Sequence, residues 1–79
     1  MVFVSHYVLD ARNLLCPMPV IRTQSRIAEL GRGDVLEVRA TDPGVLQDIP
    51  AWCRIHGHEL LSVTKNEGEI TLTLRVGAA

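Results

Sequence analysis

Aromatic residues are scarce in this chain: Phe3, Tyr7 and Trp52 are the only three among 79 residues. Neither sign of charge dominates, with eight basic residues against nine acidic ones and a formal net charge of −1. These two shortages argue against a dedicated nucleic-acid binder, which relies on a basic face and stacking rings. No run approaches the ~18 apolar residues that a membrane-spanning helix requires. The segment from Met1 to His6 lacks the basic start and long apolar core of a secretory signal. The chain therefore reads as a cytosolic protein whose thiols stay reduced. Two cysteines in such a compartment are not expected to form a structural disulfide, and no Cys-x-x-Cys spacing supports a dithiol cycle. Repeats, linkers and low-complexity tracts are missing too, and the tail Gly77-Ala78-Ala79 is expected to fray.

What is present suits one small globular domain over residues 1–79, with 47% hydrophobic and 22% charged residues. A domain of this size buries roughly 60% of its unfolded surface, so its core is modest. Residues 4–9 read as a short strand, followed by a turn at Asp10-Ala11-Arg12-Asn13. A helix is predicted from Pro17 to Leu30, closed by Gly31. Pro17, Val20, Ile21, Ile27 and Ala28 share its apolar face, with Gln24 in the middle, and Arg22, Ser25, Arg26 and Glu29 lie opposite. After the turn Gly31-Arg32-Gly33-Asp34, a second strand alternates Leu36, Val38 and Ala40 with Glu37, Arg39 and Thr41. Asp42 and Pro43 signal a helix start, as N-cap and first helical residue. That helix runs to His56 with an apolar stripe of Val45, Leu46, Ile49, Trp52, Cys53 and His56, and Gly57 ends it. Pro50 should kink or split it. Strands at 58–65 and 69–76 flank a hairpin turn at Asn66-Glu67-Gly68.

The order is βαβαββ. Each strand shows one polar face, so both helices must cover the same apolar face of one sheet, an α+β two-layer sandwich. Right-handed crossovers then place strands one, two and three in that spatial order. Strand four fits either between strands two and three or outside strand three. Its clean alternation of Ile70, Leu72, Leu74 and Val76 favours the inside position. The expectation is a four-stranded mixed sheet of order 1-2-4-3.

Cys16 is the candidate reactive residue. It follows a strand and precedes a helical pattern, with Pro17 at what reads as the first helical position. As N-cap it would face the positive end of the helix dipole, which favours the thiolate. Pro17 and Pro19 offer no N–H, so only donors such as those of Met18 and Val20 could reach the sulfur; Arg12 or Arg22 could add positive charge. A single activated thiolate can take sulfur from another protein's persulfide and pass it on. That exchange needs no acid–base triad, no cofactor and no metal. The competing reading is a small, inert, apolar cap residue. Cys53, on the apolar stripe, reads as a core thiol, and Trp52 as a core or rim filler. His6 reads as an ordinary surface or rim residue. Cys53, His56 and His58 have a zinc-like spacing but lack an evident fourth ligand. Glu37, Arg39, Thr71, Thr73 and Arg75 form a solvated mixed-charge face, and Asp10 orients Arg12 or stabilises its own turn.

Two stretches resemble the TusA (SirA-like) sulfur-carrier family. Leu9-Asp10-Ala11-Arg12-Asn13-Leu14-Leu15-Cys16-Pro17-Met18-Pro19 is similar to its Leu-Asp-x-x-Gly-Leu-x-Cys-Pro-x-Pro signature. Thr41-Asp42-Pro43, continuing through Asp48-Ile49-Pro50-Ala51-Trp52-Cys53 to His58-Glu59-Leu60, is similar to its second conserved segment. The resemblance implies a βαβαββ fold and a persulfide on Cys16, with Asp10, Arg12, Asn13, Pro17, Met18 and Pro19 shaping the site. It implies a sulfur-donor protein, either a cysteine desulfurase or a rhodanese-like protein, and an acceptor protein cysteine. The sulfur would serve tRNA thiolation, oxidative sulfur metabolism or, in some relatives, selenium metabolism. The carrier would act in the cytoplasm as a monomer forming transient complexes, without direct contact with nucleic acid or membrane. Asn13 stands where the family has Gly, and Asn is the next best residue for a left-handed turn. Met18 stands where the family often has an acid, which makes the rim more apolar. The alternatives are a small RNA-associated module and a regulatory interaction domain in which Cys16 is incidental.

Overall fold

The computed structural model describes residues 5–77. Six elements follow one another: β1 (His6–Ala11), α1 (Met18–Ile27), β2 (Val35–Ala40), α2 (Val45–His56), β3 (Glu59–Asn66) and β4 (Glu69–Arg75). The sheet order is β1-β2-β4-β3: β1, β2 and β3 follow in the order expected of right-handed crossovers, and β4 takes the inside position favoured by its apolar alternation. β1 and β2 are parallel, and β4 runs antiparallel to both of its neighbours. The inner face carries Leu36, Val38, Ala40, Ile70, Leu72 and Leu74, packed with Ile27 of α1 and Val45, Ile49 and Cys53 of α2. The outer face carries Glu37 and Arg39 of β2 opposite Thr73 and Thr71 of β4. The β3–β4 turn holds Glu67 at φ +51° and Gly68 at φ +81°. That doubly left-handed pair is the tight hairpin turn that matches strand twist.

Several boundaries differ from the sequence reading. The expected start of the first strand at Val4 lies outside the described residues, and Asp10 and Ala11 extend the strand rather than forming the turn. α1 stops at Ile27, short of Leu30 and Gly31. Its end tightens through Glu29 N–H to the Arg26 carbonyl and Leu30 N–H to the Ile27 carbonyl, both 3.0 Å. Its N-cap is Pro17 rather than Cys16, and no side chain caps it. Gly44, rather than Asp42, is the N-cap of α2. α2 continues through Pro50 without splitting, and Gly57 closes it at φ +77°. Gly77 is not frayed: its N–H donates to His58 Nδ1 at 3.0 Å, while Ala78 and Ala79 lie outside the described residues.

The inward face of α1 is also rotated from the expected one. Pro19, Thr23 and Ile27 are buried, whereas Ile21 is 46% exposed and Gln24 faces solvent. Thr23 tolerates burial because its hydroxyl donates to the Pro19 carbonyl at 2.8 Å, which satisfies the polar group within the helix. Pro19 tolerates it because the N–H it lacks would be unpaired in a first helical turn. Arg26 lies over the Tyr7 ring, 4.9 Å from its centroid, and ties α1 to β1. On α2 the expected stripe holds except at His56, which is exposed and lies tilted against the Trp52 ring. β3 departs from a one-sided strand. A register shift between Leu60 and Ser62 interrupts its alternation, and along the strand only Leu60 is even half-buried.

Candidate functional site

The site follows from the parallel pairing of β1 with β2. Ala11 pairs with Ala40, so both strands end at the same edge and their following loops lie side by side. The first loop turns at Asn13, whose φ of +65° is the left-handed conformation its Asx side chain tolerates. The Asn13 N–H donates to Thr41 Oγ1 at 2.9 Å, which staples the two loops together. Three residues later the Cys16 N–H donates to Asp42 Oδ2 at 2.7 Å. The other oxygen of Asp42 accepts the Gly44 N–H at 3.0 Å, so one carboxylate holds both loops.

This clamp carries the sulfur away from its own helix and onto the head of α2. The Cys16 thiol donates to Asp48 Oδ2 at 3.2 Å. Sγ lies so close to Gly44 that a Cβ at that position would fall 2.7 Å from it. Glycine at the α2 N-cap therefore provides the space in which the sulfur sits. Cys16 remains half-buried, whereas Cys53 is 1% exposed in the core.

The electrostatics reverse the sequence expectation of a thiolate favoured by the α1 dipole. The hydrogen bond to Asp48, desolvation, and the nearby Asp42 push the Cys16 thiol up to about 12. A thiolate facing carboxylates is disfavoured, and the neutral thiol is kept because it can donate. α1 offers no compensation. Met18 N–H, one of the donors counted on, is taken by the Leu15 carbonyl at 2.9 Å. Arg12 does not supply positive charge either. Its Nε and Nη2 donate to Asp10 Oδ1 and Oδ2 at 2.9 and 3.1 Å. Those bonds orient Arg12, and the Arg12 N–H, which also donates to Asp10 Oδ1 at 3.1 Å, braces the turn, so Asp10 fills both roles read for it; together they draw its carboxyl down to about 2.

Of the residues read as shaping the site, Asn13 and Pro17 define the turn and the α1 cap, and Asp10 and Arg12 brace the loop without touching sulfur. Pro19 packs into the core. Met18 is 37% exposed and Leu15 76% exposed, which gives the rim the apolar character read from Met18. Sequence reasoning left Thr41, Asp42, Gly44 and Asp48 out of the site. A usable signal existed: parallel strands end together, so the Thr41-Asp42-Pro43 loop had to meet the Cys16 loop. The zinc-like trio does not converge. Cys53 points into the core with its thiol raised to about 11 by burial, while His56 and His58 lie against the Trp52 ring at centroid distances of 4.9 and 5.0 Å. On the outer sheet face, Arg39, Thr64, Asn66, Glu69 and Thr71 line a shallow polar hollow of about 320 Å³.

Comparison with known proteins places this geometry. Residues 7–76 match the family described as Sulfurtransferase TusA. The sulfur carrier protein TusA of Pseudomonas putida (strain GB-1) is 40% identical over 73 residues, covering 92% of this chain and 91% of that protein. YrkI of Bacillus subtilis is 50% identical over 66 residues, covering 84% and 87%. YrkF of the same organism is 51% identical over 63 residues, but the chain spans only 34% of its length. The crystal structure of a SirA-like protein from Desulfitobacterium hafniense superposes with a TM-score of 0.79 at 30% identity, covering 90% of this chain and 97% of that one. With the fold, the Cys-Pro-Met-Pro turn and these relatives in agreement, the chain is a member of the TusA family.

Proposed function

We propose that the protein carries sulfane sulfur as a persulfide on Cys16. The observation that carries the reading is the position of this thiol. Of the two cysteines it is the half-exposed one, held in the family's Cys-Pro-x-Pro turn at the joined loop edge, whereas Cys53 is sealed in the core. The Cys16 sulfur attacks the outer sulfur of a donor cysteine persulfide. A new S–S bond forms on Cys16, the donor's S–S bond breaks, and the donor cysteine leaves as a thiolate. The proton lost by Cys16 ends on that leaving thiol, so the exchange is neutral in protons and electrons. Transfer to an acceptor cysteine repeats the same step with the roles exchanged.

The donor is a cysteine desulfurase or a rhodanese-like protein, and the acceptor is a protein cysteine in tRNA thiolation or oxidative sulfur metabolism. No described helix is long and apolar enough to cross a membrane. The protein works in the cytoplasm, as a monomer in transient complexes, where reducing conditions keep Cys16 free. The apolar rim of Leu15, Met18 and Ile21 supplies contact surface around the thiol.

The test is loading. Incubation with a cysteine desulfurase and cysteine, or with rhodanese and thiosulfate, adds one sulfur to the intact mass. The addition disappears on reduction and does not form in Cys16→Ser. Absence of the added sulfur with both donors refutes the proposal, as does full loading of Cys16→Ser.

A further inference from the structure

We propose that Asp48 is a positioning residue for sulfur transfer: it holds Cys16 as a neutral, hydrogen-bonded thiol at the head of α2 until a donor engages the site. The inference rests on the sulfur-carrier reading and adds a control element to it. Three observations support it. The Asp48 carboxylate accepts from Sγ at 3.2 Å. Asp42 ties the Cys16 backbone to the α2 cap at 2.7 Å, so the sulfur cannot drift from Asp48 by loop motion alone. Gly44 leaves the space that lets Sγ approach the helix, with the ideal Cβ position only 2.7 Å away.

The charged groups around the sulfur all act in one direction. Asp48 comes from α2 and Asp42 from the loop before it, and both raise the thiol. The β1–α1 loop carries one cation, Arg12, and it is occupied by Asp10. A thiol in this setting is a poor nucleophile, because reaction needs the thiolate. It is correspondingly protected from stray electrophiles and oxidants between rounds of transfer. Attack on a persulfide requires that the Sγ–H···Oδ2 bond be broken, with the proton ending on the departing donor thiolate. Asp48 thus makes sulfur acceptance conditional on a docked donor rather than on collision with any reactive sulfur.

The test is the pH profile of Cys16 alkylation by iodoacetamide, followed by peptide mass mapping. In the native protein the rate should keep rising above pH 9, with a midpoint above the ordinary cysteine value of 9.0. Asp48→Asn and Asp48→Ala should both lower the midpoint by a unit or more. Each unit gives about tenfold more thiolate and about threefold less intrinsic nucleophilicity, hence roughly threefold faster labelling at pH 7.5. A native midpoint at or below 9.0 overturns the proposal without any variant. Variant profiles superimposable on the native one overturn it as well. If native protein takes no sulfur in the loading assay, the carrier reading falls while the alkylation result still stands. If it loads normally and the profiles coincide, only the role of Asp48 falls.

Discussion

Gly44→Ala isolates the contact on which the state of the thiol depends. Gly44 has φ −57° and ψ −25°, a right-handed conformation that alanine adopts without strain. The added methyl would meet Cys16 Sγ at 2.7 Å, while Asp42 Oδ1 at 3.5 Å and Asp48 Oδ2 at 3.8 Å are ordinary contacts. The sulfur is therefore the atom that must yield, and a cysteine side chain yields by one χ1 rotation. That rotation breaks the bond to Asp48 and turns Sγ toward water. The ceiling of the effect is set by a return from about 12 to the ordinary value of 9.0. At pH 7.5 the thiolate share would rise from about 0.003% to about 3%, roughly a thousandfold. The lower basicity takes back about twentyfold, which leaves a ceiling of about 50-fold in alkylation rate. Stability should change little. Alanine is the poorer N-cap, a cost of at most ~1 kcal/mol, part of which is offset by the stiffer unfolded chain. That corresponds to a fall in Tm of a few degrees. Stopped-flow or quenched alkylation with a melting curve on the same sample gives both quantities. A folded Gly44→Ala protein whose Cys16 labels no faster than native refutes the reasoning.

Three further outcomes follow from the packing and the ionisable groups. Leu72→Ala removes a fully buried side chain at the centre of the sheet and should cost about 2–5 kcal/mol in urea unfolding; a loss below ~1 kcal/mol contradicts the core assignment. Thr23→Val keeps the shape but loses the buried bond to the Pro19 carbonyl, so it should cost about 1 kcal/mol, and a stabilised variant would show that the hydroxyl contributes nothing. Burial and the neighbouring His56 hold His58 below its ordinary 6.5, and its unprotonated Nδ1 accepts the Gly77 N–H. The unfolded chain binds this proton more tightly than the folded one, so stability contributed by neutral His58 is complete above about pH 6.5 and declines as the pH falls below it. Unfolding free energies between pH 5 and 7.5 that show the same slope in His58→Asn would rule out His58 as the source.

The strand order and the two-layer arrangement were legible because they rest on long-range rules. Alternation in β2 and β4 marks the inner face, and crossover handedness does the rest. The α1 face was misread because hydrophobicity alone ranks Ile21 above Thr23. A threonine that bonds its own helix at Pro19 behaves as an apolar filler, and no periodicity count registers that. The candidate residue was visible in the Cys16-Pro17-Met18-Pro19 turn, but its electrostatic setting was not. Local reasoning assigned the sulfur to the helix that follows it in the chain. The tertiary structure assigns it to α2, through carboxylates 26 and 32 residues further on. Neighbours that distant are invisible to any window along the sequence, although the parallel pairing of β1 and β2 carried their whereabouts implicitly.

That long span has a bearing on quality control. The quiet thiol exists only while residues far apart in the chain are assembled. A denatured molecule presents Cys16 as a commonplace sulfhydryl, more prone to labelling than the same atom in the intact fold. Thiol-trapping under native conditions should then tag misfolded copies first, making this one atom an internal gauge of whether the polypeptide around it is correctly built.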